Sequence, residues 1–403
     1  MLMSSRSPAA PYDGRMVGWL SVGQLITWGS VFYAFALLMA PVEQALGLSR
    51  AQSSLAFSLA LLAEGVMAWT VGRWIDRGHE RAVMTGGSLV MAAGLFAHSF
   101  IQNAAGFYAV WIVLGAALAA TLYNPAFAIV TRRFPDDFRR AIITLTFLGG
   151  LASTVFIPLV AGLVGALGWR HALWVLAAIH LFVCVPLHAR VLRHAPPARA
   201  KTDAPAGTAP LPVAHYLRSA PFLLVGVFVV LLMAVTVALP PHMVSLLRES
   251  GLSESWAIAI PASIGLVQVL GRALLYFFEH RFDLHLANRL IPCLIPLGLV
   301  ALLAGGGHAG AALLFVALYG MGNGMLTIVK GTAIAQYVNR DHVATLNGAL
   351  GLPSAIARAV APLMLGLLWT PALGYTAGLW VLLVVSVVAV LALVGAQRFS
   401  ART

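Results

Sequence analysis

The sequence predicts an all-α membrane protein, with twelve spanning helices in two six-helix bundles and both termini cytoplasmic. Three observations carry that expectation: the composition, the spacing of the apolar runs, and the placement of the basic residues. Of 403 residues, 60% are hydrophobic and only 9% are charged, and the mean hydropathy is +0.90. Soluble domains carry roughly 25% charged residues, so most of this surface is built to face lipid. A bilayer core of about 30 Å needs about 20 apolar residues per helix. Runs of that length fall at 16–41, 51–75, 82–102, 106–132, 140–167 and 170–192, then at 220–247, 255–278, 286–304, 309–337, 343–370 and 373–396. They are expected to be helices, because a spanning segment must satisfy its own backbone hydrogen bonds where lipid offers none.

The segment 193–219 is rich in Pro, Ala and charge and reads as a cytoplasmic linker. It divides the chain into an N-terminal bundle, 1–192, and a C-terminal bundle, 220–403. The net charge of +12 belongs to the membrane topology. With the N-terminus inside, 19 of the 25 Lys and Arg fall in cytoplasmic segments, three (Arg50, Arg170, Arg248) on the opposite side, and three within spans. That asymmetry sets the orientation and leaves no basic face for nucleic acid. The N-terminal stretch shows no cleavage-type signal, so the first span is expected to direct insertion as part of a multi-pass inner-membrane protein. Cys184 and Cys293 both lie in apolar runs, so neither a disulfide framework nor a metal set is expected.

The two halves echo one another. A shift of 204 positions lays Ile157-Pro158-Leu159 on Ala361-Pro362-Leu363 and Asp137 on Asp341. A parallel repeat of this kind places a solute site near mid-membrane, between the halves.

The loop after the second span reads Gly72-Arg73-Trp74-Ile75-Asp76-Arg77-Gly78-His79-Glu80-Arg81. It resembles the signature loop of the major facilitator superfamily, Gly-x-x-x-Asp-Arg-x-Gly-x-Arg/Lys, with the second Gly one residue early and Glu80 before the last basic residue. The resemblance covers essentially the whole chain and implies a gate at this loop. Gly72 would let the second helix lie close to the eleventh. Asp76 would cap the start of the eleventh near Val343, and Arg77 and Arg81 would clamp a carboxylate such as Asp137. Within the superfamily, Gly162, Gly168-Trp169-Arg170 and Gly271-Arg272 look like the monocarboxylate and oxalate–formate branch. There an Arg in the eighth span holds the substrate carboxylate. Gln268 stands where monocarboxylate carriers often have an Asp, which leaves proton coupling open.

Four charges lie inside the spans: Glu64, Arg272, Lys330 and Arg358. Each costs roughly 2.5–3.5 kcal/mol or more at mid-membrane unless it is paired or wet, so each is a functional candidate. Three positive against one negative leaves an excess of two, which suggests that the missing anion is the substrate. Arg272 offers a planar fork for a carboxylate, with snorkelling towards the cytoplasmic face as the other reading. The fold that the resemblance implies sets the second and eleventh spans side by side, which would let Glu64 pair with Arg358. Lys330 either binds substrate or snorkels. Tyr33, Tyr123, Asn124, Tyr319 and Asn323 sit in the first, fourth and tenth spans and fit the cavity that the resemblance implies between spans one, four, seven and ten. Taken singly, each reads first as an interhelical hydrogen-bonding group and second as a substrate contact. Pro240-Pro241-His242 marks a kink or gate, and His180 reads as a core histidine.

No phosphate-binding loop, metalloprotease His/Glu motif or nucleophile elbow is present in the sequence, so neither enzyme chemistry nor a cofactor is expected. The function expected is secondary transport of a small solute, an organic carboxylate above others, with a coupling proton or counter-anion as partner and the monomer as the working unit. The alternative is an efflux carrier for drug-like or toxic compounds, metalloid and organoarsenical species included. A membrane sensor or scaffold would need a large soluble domain, for which tails of ~15 and ~7 residues leave no room.

Overall fold

Apolar runs in a membrane close their hydrogen bonds along their own backbone, and helix is what most of the described residues form. The computed structural model describes residues 12–193, 213–278, 284–305, 307–339 and 343–400. The long helices are labelled in chain order. They are α1 Gly14–Leu46, α2 Arg50–Asp76, α3 Glu80–His98, α4 Ala104–Arg133, α5 (140–167), α6 (169–191), α7 Ala220–Glu249, α8 Glu254–Phe278, α9 Leu284–Ala304, α10 Ala309–Tyr337, α11 Leu346–Leu367 and α12 Thr376–Ser400. Among the described residues, ten helices are long and apolar enough to cross a membrane. One of these, Arg140–Val191, runs for 52 residues, about 78 Å at 1.5 Å per residue. It turns back at Gly168, whose φ of 75° breaks the helix where a side chain would be strained. Most of the linker, 194–212, lies outside the described residues, as does Asp341.

Local chemistry sets the helix starts. Asp13 accepts from the Arg15 and Met16 amides at 3.0 Å, Asn103 from Gly106 at 2.8 Å, and Ser49 forms a reciprocal cap with Gln52, each satisfying orphan donors of a first turn. Two π-helical turns interrupt the regular pattern, Trp28–Tyr33 in α1 and His180–Cys184 in α6. They meet through Ser30 Oγ and His180 Nε2 at 2.7 Å, so the histidine expected in the core is indeed buried and bonded.

Packing separates along the chain. One apolar cluster draws on residues 222–396, including Phe228, Phe315 and Tyr319. The others draw on residues 16–192, joined by Val237, Val244, Ala262 and Ala359. Between these groups the chief contacts are α2 with α11 and α5 with α8. Small residues allow the closest approaches, as expected where lipid supplies no hydrophobic drive between helices. A Cβ on Gly115 of α4 would stand 2.1 Å from Ala60 O of α2, and one on Gly265 of α8 would stand 2.6 Å from Gly150 O of α5.

The end of the bundle carrying Gly14 and Ser400 is termed proximal, and the end carrying Leu46 and Arg50 distal. Among the described residues, antiparallel α2 and α11 meet from their distal ends to mid-helix. Gly366 meets Ser54, the Leu363 amide donates to Ser58 Oγ at 3.2 Å, and a Cβ on Gly65 would be 3.0 Å from Ala355 Cβ. Continuing that register would set Gly72 opposite Gly348. A Cβ on either glycine meets nothing within 4 Å. Val66 on α2 and Leu352 on α11 are 68% and 71% exposed, so the helices splay apart towards the proximal end. Among the described residues nothing packs on Gly72 in this conformation.

Replacing Gly115 with Val drives two methyls into the α2 backbone and is expected to destabilise the fold by about 1–3 kcal/mol. A Gly165→Ala control, where nothing lies within 4 Å, should stay within about 0.5 kcal/mol. Thermal unfolding in detergent reads both.

Candidate functional site: a cationic cavity between the halves

Where α2 and α11 part, a cavity of about 290 Å³ opens, at the lower edge of the range for small-molecule sites. Its wall includes every side chain that the sequence nominated for substrate contact: Arg272, Arg358, Lys330, Tyr33, Tyr123, Asn124, Tyr319, Asn323 and Gln268. Glu64 is also there, the one carboxylate against three cations in the wall.

Glu64 and Arg358 meet as their positions suggested. Arg358 Nη2 lies 2.9 Å from Glu64 Oε2, and Nη1 lies 3.4 Å from Oε1. The pair joins α2 to α11 within a turn of where they splay, with the Glu64 side chain 5% exposed and Arg358 17%. Arg358 Nε is buried with no partner, which leaves one donor of this guanidinium unspent.

Arg272 does not reach the proximal surface. Its side chain turns inward, with Nε donating to Gly324 O of α10 at 3.2 Å and Nη1 to Thr146 O of α5. Carbonyls satisfy part of its fork, but no carboxylate neutralises its charge among the described residues. Lys330 touches the Met233 sulfur and likewise makes no ion pair among the described residues. Two positive charges thus stand over in the cavity.

The polar neighbours divide into two kinds. Tyr319 is 1% exposed and its hydroxyl donates to Thr236 O at 3.0 Å, so it ties α10 to α7. Gln268, Asn323 and Asn124 line the cavity with no hydrogen bond to another described residue, and their amides face the opening with donors and acceptors in hand. Tyr123 stacks on Phe127 at 5.2 Å and leans on Trp28 at 5.3 Å. With Phe32 and Tyr33 these rings form an aromatic wall. Sequence reasoning named Tyr33 and Tyr123 but missed Trp28, Phe32 and Phe127. Trp28, Phe32 and Tyr33 belong to the π-turn of α1, which changes the face that α1 presents, and π-turns are frequent at functional sites.

At the distal end α1, α2 and α7 are tied by a cluster that the sequence showed only as scattered topology charges. Arg50 of α2 bridges Glu43 of α1 at 2.9 Å and Glu249 of α7 at 3.1 Å. It also bonds the Tyr375 hydroxyl and lies over the Trp369 ring at 5.0 Å. Beneath it, His242 bonds Tyr375 at 3.1 Å and Pro362 O at 3.0 Å, so the Pro240-Pro241-His242 segment packs under this cluster. The signal available in sequence was that Arg50 and Arg248 are rare basic residues on that side, each needing a local acid.

The proximal loop differs from expectation. Arg132 and Arg133, at the end of α4, hold the fully buried Glu80, at 3.7 Å for Arg132. Among the described residues Arg77, Arg81 and Asp137 form no ion pair. The clamp is built on the acid that departs from the signature loop. Arg132 also bonds Ile75 O and so fastens α4 to the end of α2. The cap expected from Asp76 on α11 adjoins 340–342, outside the described residues.

The profile of the Major Facilitator Superfamily matches residues 20–362. The chain belongs to that superfamily. As a superfamily member it is a transporter rather than an enzyme. It is 25% identical over 174 residues to the "Uncharacterized MFS-type transporter YcxA" of Bacillus subtilis (strain 168), a match spanning 42% of this chain and 42% of that protein. Among solved structures, a mutant of the nucleoside transporter NupG shares 16% identity with a TM-score of 0.75, covering 95% of this chain and 99% of that one. A bacterial homologue of the human lysosomal transporter Spinster, inward-facing and occupied, gives 16% and 0.70, covering 98% of each chain. At such identities the likeness shows the fold alone.

If the Glu64–Arg358 bridge holds the halves, Glu64→Gln and Arg358→Gln should each lower thermal stability, and the double variant should lose less than the sum. A coupling of about 1–3 kcal/mol is expected from the double-mutant cycle, and additive losses would show that the contact carries no energy.

Proposed function

We propose that this superfamily member carries a small organic anion, a carboxylate above others, by alternating access between two six-helix halves. The observation that carries the reading is the charge of the cavity: Arg272, Lys330 and Arg358 against Glu64, with Lys330 and Arg272 unpaired among the described residues. Uncompensated cations in a low-dielectric site are costly, and an anionic solute lowers that cost each time it binds. The amides of Gln268, Asn323 and Asn124 would orient it, and the aromatic wall would receive its apolar part.

The twelve-crossing topology follows on the same reading. The ten apolar helices become twelve crossings when Arg140–Val191 is divided at Gly168 and the 19-residue α3 is added. The separate apolar clusters support division into 1–192 and 220–403 around a linker at 193–219. The excess of Lys and Arg at the proximal end puts that end, and both termini, in the cytoplasm of a bacterial-type inner membrane. The conformation described is then inward-open. Arg50 and its partners close the distal side. Closing the proximal side would carry Gly72 towards Gly348 along the register that α2 and α11 already share, with the Gly72–Arg81 loop and the Glu64–Arg358 bridge as gating elements.

One observation favours the second reading, an efflux carrier for drug-like compounds. Trp28, Phe32, Phe127, Met233 and Met243 make much of the wall apolar, as an adaptable hydrophobic binding surface requires. The two readings differ in what the cations do.

Reconstitution separates them. In proteoliposomes, counterflow of a small aromatic or aliphatic carboxylate should fall at least about tenfold in Lys330→Met, the scale of one lost charged hydrogen bond. Arg272→Lys should also be impaired, because an ammonium lacks the fork. Full transport by both variants would remove the anion reading, and cation-independent resistance on overexpression would favour efflux.

A further inference from the structure

A second cavity, of about 480 Å³, lies away from the central site on the outside of the N-terminal half, between α2, α3 and α4. Its wall is Met67, Val71 and Trp74 of α2, Val83 to Val90 of α3, and Ala116 to Ala120 of α4, with Arg77 and His79 at one end. Apart from the Trp74 indole, those two are the polar side chains of the wall. Gly86 keeps it open, since a Cβ there would meet nothing within 4 Å, whereas neighbouring Gly87 is packed against Ala120.

Depth and charge together identify an occupant. From the start of α3 at Glu80 to Val90 the wall runs ten residues, about 15 Å of helix and half of a hydrocarbon core of about 30 Å. The groove therefore spans one leaflet and ends near mid-membrane. Its mouth lies at the proximal end, where Arg73, Arg77 and Arg81 follow one another at exposed positions. Glu80, the nearest acid in the loop after Asp76, is taken up by Arg132 and Arg133. Arg77 has no ion pair among the described residues. A long apolar slot with a free guanidinium and an imidazole at its rim is complementary to a chain with an anionic head.

We propose that this groove binds an anionic phospholipid of the proximal leaflet, one acyl chain lying along Val71, Val83 and Val90 and the phosphate on Arg77 and His79. Basic pockets between spanning helices at this depth suit phosphate head groups. The bound lipid links the signature loop to the helices behind it and makes the membrane's anionic lipid content an input to that loop.

The test is native mass spectrometry of the full chain, purified with phosphatidylglycerol or with phosphatidylcholine of the same acyl length. Wild type should retain phosphatidylglycerol in preference. Arg77→Gln should weaken its retention roughly fivefold, the scale of one interfacial cation, and erase the preference. Gly86→Leu should fill the slot and lower retention of both lipids. Equal retention of the two lipids by wild type, or an unchanged preference in Arg77→Gln, would overturn the proposal. If Gly86→Leu does not fold, the Arg77→Gln comparison decides alone.

Discussion

Positive charge held between apolar helices is the constraint on which the rest of this structure depends. A buried cation must be paired, solvated or given to a ligand, and this cavity uses different means for each of its three. Arg358 is given Glu64. Arg272 is given backbone carbonyls of α5 and α10, which satisfy donors without cancelling charge. Lys330 is given a thioether, a weak acceptor. The residual charge requires a wet or occupied space, and that space exists because α2 and α11 diverge below Gly65.

On the proposed alternating-access reading, the same residues would couple the site to the relative movement of the two halves. Glu64 and Arg358 belong to opposite halves, and Arg272 of the C-terminal half bonds Thr146 of the N-terminal half, so any solute that competes for these groups alters contacts across the interface. Linkage requires a ligand to favour one state by its differential contacts. Here those contacts are the interfacial ones. On the same reading the distal cluster around Arg50 would supply the opposing term, since its charged and aromatic contacts would hold only while that end is shut. An alternating machine needs both ends to be comparably stable, and a partly exposed ion-pair network of modest energy suits such a closure better than a large apolar seam.

Much of this was legible in the sequence, and the reasons are physical. Helix placement follows from the length of apolar runs, which lipid thickness dictates. The charges inside the spans are so costly that each had to face a cavity or a partner, and Glu64 with Arg358 followed from the adjacency of two helices. What could not be read depends on distances between elements far apart in sequence or on the conformational state. Gly72 has the small side of a packing residue, but its partner face is withdrawn at the splayed end. Glu80 looked like a departure from a signature loop, whereas in three dimensions Arg132 and Arg133 converge on it from α4. The π-turn at Trp28–Tyr33 leaves no periodicity signal because hydrophobic residues surround it on every side. The Arg50 cluster joins α1, α2, α7 and the start of α12, and nothing local in the sequence announces that meeting.

The claim that the cavity selects by charge can be tested on the binding step alone. Calorimetric titration of the purified protein would compare a small carboxylate with its isosteric, uncharged amide, in wild type and in Lys330→Gln. The account predicts that the amide binds roughly tenfold to a hundredfold more weakly than the carboxylate, the scale of a charge-assisted hydrogen bond, and that Lys330→Gln narrows the gap. Equal binding of acid and amide by the wild-type protein would contradict it.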